Sequence, residues 1–281
     1  MAIQIEQVDL KNNETEDRLM SKTVAITNQK GGVGKTSTAS AMASGLAEKG
    51  FKILAIDLDP QGNLGFCLGA EIDNSPTVYE LMKGAVSIDQ VIQRNEGVDI
   101  IPSNILLSGA ELEFNMLGRE YLLKNGIAPV RDNYDYIVID TPPALNILTV
   151  NAYTATDCLI IPMTPEILSL LGISQLRETI DLVKGIYNPK IEVLGILLNK
   201  YDKRRLLTKD VEEMAEIIAK ELNTKVFNTK IRSSVSVAEA PAHGESVFKY
   251  SPKANSTRDY RLLIEELISQ KGMKLDDEEK Q

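Results

Sequence analysis

The segment KTVAITNQKGGVGKTSTASAMASGLAEKG, residues 22–50, leaves few folds open to this chain. It runs as a short apolar strand, turns through three glycines, and continues as a helical pattern closed by Gly50. Glycines let the backbone bend until its N–H groups converge, and the start of the following helix adds its positive end. That is a cradle for phosphate. Read as the loop G-x-x-x-x-G-K-[ST], the motif has Asn28 or Gln29 where the first glycine would stand. Lys35 is placed to reach the β/γ-phosphates and the Thr36 hydroxyl to ligate Mg²⁺. Gly31, Gly32, Val33, Gly34, Lys35, Thr36 and Ser37 are the candidate nucleotide-binding residues. A second lysine, Lys30, stands immediately before the glycines, and one phosphate site does not need it.

The rest of the chain repeats the strand-then-helix rhythm. FKILAID, VDIIPS, YDYIVID, DCLIIPM and IEVLGILLN read as further strands, and TKVFNTKI is a candidate seventh. Helical patterns occupy 146–155, 169–184 and 210–222, and TRDYRLLIEELISQ is the last. Continuous Val/Ile/Leu strands separated by helices predict an α/β fold: a doubly wound, mostly parallel sheet with helices on both faces. One domain over 21–270 is expected, between an acidic leader at 1–20 and an acidic tail at 271–281. No stretch approaches the roughly 20 consecutive apolar residues of a membrane span. The start lacks the layout of a signal peptide, so a cytoplasmic protein is expected. Cys67 and Cys158 match no metal-ligand spacing and read as reduced, partly buried thiols. The single histidine, His243, reads as a loop residue, and it makes histidine-based catalysis or metal binding hard to build.

Net charge is −9, which by itself argues against an acidic polymer as partner. Its distribution differs. Residues 1–20 and 262–281 each carry −3, whereas 200–261 carry +4.

Three acids fall where a nucleotide site needs them. FKILAID runs into DLDPQGN, which puts Asp57 and Asp59 at the carboxyl edge of the sheet, and YDYIVID puts Asp140 there. An acid following four apolar strand residues can hold Mg²⁺ through a water, as a Walker-B aspartate does. The turn starting DPQG can swing Asp59 towards the γ-phosphate to orient a water. Asn199, in LLNKYD, opens an N-K-x-D pattern that suits guanine, while the asparagine alone suits the adenine edge. Spacing does not choose between ATP and GTP.

KGGVGKTS, DLDPQGN, IDTPPALN and EAPAHGESVFKYSP together resemble the deviant Walker A ATPases of the ParA/MinD family, in particular the ParA branch of plasmid and chromosome partition ATPases. The resemblance covers about residues 21–270. It implies ATP and Mg²⁺, and a homodimer closed face to face on two ATP molecules. Lys30 would be the signature lysine that reaches the partner's phosphates. It further implies that Lys35 and the loop amides hold phosphate, with Thr36 on the metal and Asp140 behind it. Asp59 would be the hydrolytic acid and Asn199 an adenine reader. The leader is too short for the helix-turn-helix domain of the longer ParA proteins.

The resemblance also implies sequence-independent DNA binding by the ATP dimer and a centromere-binding, ParB-type partner that stimulates hydrolysis. Lys203, Arg204, Arg205, Lys230, Arg232, Lys249, Lys253 and Arg258 are candidates for the DNA face, since phosphate contacts need only cations on one surface. One departure touches that face. Many relatives carry an arginine four residues before the alanine of EAP, where this chain has Ser236. Two rival readings remain: a MinD-like membrane-recruited ATPase, which the acidic ending KLDDEEKQ disfavours, and a nucleotide-sensing scaffold with negligible turnover.

Overall fold

The apolar runs form six strands in a computed structural model that describes residues 21–95, 97–165, 170–202, 208–270 and 273. They are β1 (Lys22–Ile26), β2 (Ile53–Asp57), β3 (Val98–Ile101), β4 (Tyr136–Asp140), β5 (Cys158–Met163) and β6 (Glu192–Leu198). The sheet order is β3-β2-β4-β1-β5-β6, and every pairing between these strands is parallel. The helices of nine residues or more are α1 (Lys35–Glu48), α2 (Ile147–Ala155), α3 (Leu170–Ile186), α4 (Thr208–Glu221) and α5 (Asn255–Ile268).

Side chains of a strand alternate between faces, so a sheet covered on both sides needs apolar residues at every position. Val24, Ile26, Val138 and Ile160 pack with α1 and α5 in one core. Their neighbours Ala25, Ile137, Ile139, Leu159 and Ile161 pack with α2, α3 and α4 in the other. The doubly wound arrangement follows directly.

α1 is rich in Ala, Ser, Thr and Gly because it is wedged between the sheet and α5. A Cβ built on Gly45 would overlap Ile264 Cδ1 and lie 2.8 Å from the Phe248 ring. Gly45→Val is therefore expected to cost about 1–3 kcal/mol of stability. Thermal melting should fall by several degrees, and an unchanged melting temperature would contradict this packing.

TKVFNTKI does not become a seventh strand. It meets the sheet edge at two separate points. Lys225 and Phe227 bracket Ile196 at 2.9 Å on each side, and Ile231 bonds to Leu198 and Tyr201. Between them the amides of Asn228 and Thr229 turn to the Glu266 carboxylate on α5, at 2.8 and 2.9 Å. A helix carboxylate takes the hydrogen bonds that a strand would have given the sheet.

The packed body also reaches beyond residue 270. Met273 is fully buried, and the Tyr136 hydroxyl donates to its carbonyl at 2.9 Å. The leader 1–20 and residues 274–281 of the tail lie outside the described residues. Both cysteines are buried, and burial pushes the Cys67 thiol up to about 12 and Cys158 higher still, which makes both inert. His243 stacks on Tyr250 with ring centroids 4.9 Å apart.

Candidate nucleotide site

The glycine loop joins β1 to α1 at the carboxyl edge of the sheet, between the ends of β4 and β5. Asn28 pins the loop's entry. Its Nδ2 donates to Pro162 O at 2.8 Å, and its Oδ1 accepts from Lys30 N at 2.9 Å. Gly32 and Gly34 hold φ of 72° and 91°, left-handed values that side chains resist. At Gly34 space is closed as well, since a Cβ would sit 2.7 Å from Asn199 Nδ2.

The two lysines occupy opposite environments. Lys35 is buried, with Nζ donating to Lys30 O at 3.3 Å. Burial lowers its pKa, and the charges of Asp140 and Asp59 oppose that shift. Lys30 is exposed. One cation lines the loop's own pocket and the other stands at its mouth.

Thr36 Oγ1 donates to Asp140 Oδ2 at 2.6 Å. Asp140 is fully buried, and its Oδ1 has no hydrogen-bond partner among the described residues. Burial pushes this carboxyl up to about 7, against the Thr36 hydrogen bond and the Lys35 charge. A hydroxyl beside an orphaned carboxylate oxygen is a hard-oxygen pair that fits Mg²⁺ or its bound water. No cluster of three or more His, Cys, Asp or Glu ligands occurs among the described residues. A magnesium ion at Thr36 would thus take its other ligands from phosphate and water.

Asp57 and Asp59 separate sharply. Asp57, expected at the nucleotide, is fully buried and accepts from three backbone amides: Asp59 at 3.0 Å, Leu64 at 2.9 Å and Gly65 at 3.2 Å. Burial, then the neighbouring Asp140 charge, hold its carboxyl well above the usual carboxylate range. It ties the turn after β2 to the short helix Asn63–Cys67 rather than facing the cleft. Asp59 does line the cleft, a cavity of about 670 Å³ that also receives Gly31, Lys35, Thr36, Ser37 and Asn199.

Comparison with known proteins decides the family. Residues 21–193 match a family model described as an AAA domain. The chain is 39% identical to the chromosome partitioning protein ParA of Caulobacter vibrioides over 254 residues, covering 88% of this chain and 94% of that one. It is 40% identical to the sporulation initiation inhibitor protein Soj of Bacillus subtilis, covering 89% and 99%. The chain belongs to the ParA family of P-loop ATPases. Among solved structures, the cobyrinic acid a,c-diamide synthase of Mycobacterium smegmatis with bound ADP and magnesium superposes with a TM-score of 0.76. It is 33% identical over 88% of this chain and 93% of that chain.

In this member of the family Asn199 sits behind the loop, with Nδ2 donating to Val33 O at 3.0 Å and Thr38 Oγ1 at 3.1 Å. Its buried Oδ1 has no partner among the described residues. Three further contributors line or brace the cleft. Lys200, in a left-handed conformation with φ 53°, donates from Nζ to Gly32 O at 3.0 Å. Pro143 enters from the loop after β4, and residues 231–235 form a wall that also includes Val237 and Ala238. The N-K-x-D pattern carried the signal for Lys200, as a brace for the glycine loop. Nothing local marks 231–235.

The expected DNA-facing cations divide into three groups. Lys203, Arg204 and Arg205 lie outside the described residues. Lys230 is paired with Glu212 and lies 4.7 Å from the Tyr201 ring centroid, and Arg232 is paired with Asp259. Lys249 is largely exposed with Glu245 at 3.3 Å, and Lys253 and Arg258 are exposed. No helix among the described residues is long and apolar enough to cross a membrane.

Proposed function

We propose that this ParA chain is a Mg²⁺-dependent ATPase of plasmid or chromosome partition, whose ATP-bound homodimer holds DNA without regard to sequence. Hydrolysis then releases the DNA. A ParB-type, centromere-binding protein is the expected stimulator, and the protein is cytoplasmic, on the nucleoid when ATP-bound. The observation that carries the reading is the contrast between buried Lys35 and exposed Lys30. A cation outside its own pocket can neutralise charge on a nucleotide held by a second copy, which makes ATP part of the interface.

Within one chain, the loop amides and Lys35 bind the phosphates, and Asp59 orients the attacking water. Mg²⁺, held at Thr36 with Asp140 behind it, would neutralise charge on the phosphates. Adenine is favoured over guanine because both Asn199 Nδ2 protons are engaged, which leaves an acceptor. An acceptor pairs with the 6-amino group of adenine and opposes the 6-oxo group of guanine. The partition role is supported by the naming of the Caulobacter relative, and Mg²⁺ with nucleotide by the diamide synthase complex.

The direct test is DNA binding with ATP, ADP or no nucleotide. It should require ATP and fall roughly a hundredfold or more between about 50 and about 200 mM salt, if some five phosphates are contacted. Absence of DNA binding in every condition would overturn the partition reading.

A further inference from the structure

The ion pair between Arg232 and Asp259 joins α5 to the wall of the nucleotide cleft, and no role in phosphate or DNA binding accounts for it. Asp259 is nearly buried, its side chain only 9% exposed, against 49% for Arg232. Its Oδ2 accepts from Arg232 Nε at 2.8 Å and from the Arg232 backbone amide at 3.1 Å, and its Oδ1 from Nη2 at 2.6 Å. Arg232 Nη2 also reaches Asn255 O at 3.2 Å. One carboxylate thus fixes both the side chain and the backbone of residue 232.

That residue begins a stretch with few other anchors. Ile231 is tied to the sheet edge through Leu198 and Tyr201, and the chain then crosses the cleft as Ser233, Ser234 and Val235. The next residue of α5, Tyr260, is buried and lines the same cleft. Thr38, on the α1 side of the cleft, accepts from Asn199 Nδ2 at 3.1 Å. Consecutive residues of one helix therefore hold two parts of the cleft that the glycine loop does not build. With phosphates in the loop, those parts are left for the base and ribose. Ile231, Val235 and Tyr260 offer apolar surface, and Asn199 offers a polar edge.

We propose that Asp259 is a positioning residue for the nucleoside: through Arg232 it sets the 231–235 wall, and with it the affinity for the base rather than for the phosphates. This rests on the nucleotide reading of the cleft. It also gives Arg232 a place in the nucleotide site in preference to the DNA face. A larger open groove of about 860 Å³ lies across the pair, lined by Tyr201, Asn228, Lys230 and Leu262. Arg232 lines both groove and cleft, and Asp259 lines the groove beside it.

The experiment compares ATP with inorganic tripolyphosphate as ligands of the full chain, by calorimetry, for wild type, Asp259→Asn and Arg232→Ala. The expected result is a Kd for ATP raised about tenfold in both variants, with the Kd for tripolyphosphate within about twofold of wild type. Equal weakening of both ligands, or unchanged ATP affinity in a folded variant, would overturn the proposal. Arg232→Ala, with its half-exposed side chain, serves if Asp259→Asn does not fold. Wild type that bound neither ligand would instead sink the nucleotide reading, and this inference with it.

Discussion

Asp59→Ala is expected to lose roughly a hundredfold or more in ATP turnover, about 3 kcal/mol at the barrier, while its Kd for ATP stays within about threefold. In the proposed site the loop amides and Lys35 would bind the phosphates, and the substitution leaves them in place. Asp59 lines the cleft with one carboxylate oxygen accepting from Gln61 N at 3.0 Å, so the turn holds it in register. What the alanine removes is the acceptor proposed to orient water. Asp57, two residues away, is the internal control. Its carboxylate satisfies the amides of Asp59, Leu64 and Gly65, and each amide left without a partner costs about 1–3 kcal/mol. Asp57→Ala should therefore melt early rather than fail in chemistry. Steady-state turnover, ATP titration and thermal melting on both variants separate the two acids. Persistent turnover in Asp59→Ala would remove it from the mechanism.

That contrast marks where a linear reading stops. The loop, its lysines and the strands were legible because their signals are local. Three glycines, a lysine and a threonine follow one apolar strand, and β1 and β4 each carry three consecutive apolar residues, Val24–Ile26 and Ile137–Ile139, because both sheet faces are covered. Asp57 and Asp59 were not separable in the same way. In DLDPQGN both acids end a strand, and only the fold reveals that Asp57 is surrounded by the amides of the returning chain. The same limit applies to TKVFNTKI, whose strand-like pattern is broken by a carboxylate 37 residues further on, Glu266 acting on Thr229. It applies again to Arg232, which reads as one cation in a basic segment until Asp259 is found against it. Long-range polar partners, absent from any local pattern, account for these differences.

Lys30→Ala is expected to abolish ATP-dependent dimerisation and DNA binding while the chain still binds ATP. Lys35, buried in the pocket, and the loop amides are untouched by the change. Truncating one partner of a charge contact buried in an interface costs about 2–5 kcal/mol. A two-fold symmetric dimer makes each contact twice, so losing both lysines costs at least about 4 kcal/mol. That is roughly a thousandfold or more in the dimer dissociation constant. A proposed DNA face would need cations from both copies to hold a polyanion against a net charge of −9 per chain, so DNA binding should fail with the dimer. Lys35→Ala should differ in kind, losing nucleotide affinity first and dimerisation as a consequence. Sedimentation with a non-hydrolysable ATP analogue, alongside direct ATP titration, distinguishes the two. A Lys30→Ala chain that dimerised with ATP as wild type does would mean that the exposed lysine serves its own pocket and that another group makes the crossing contact.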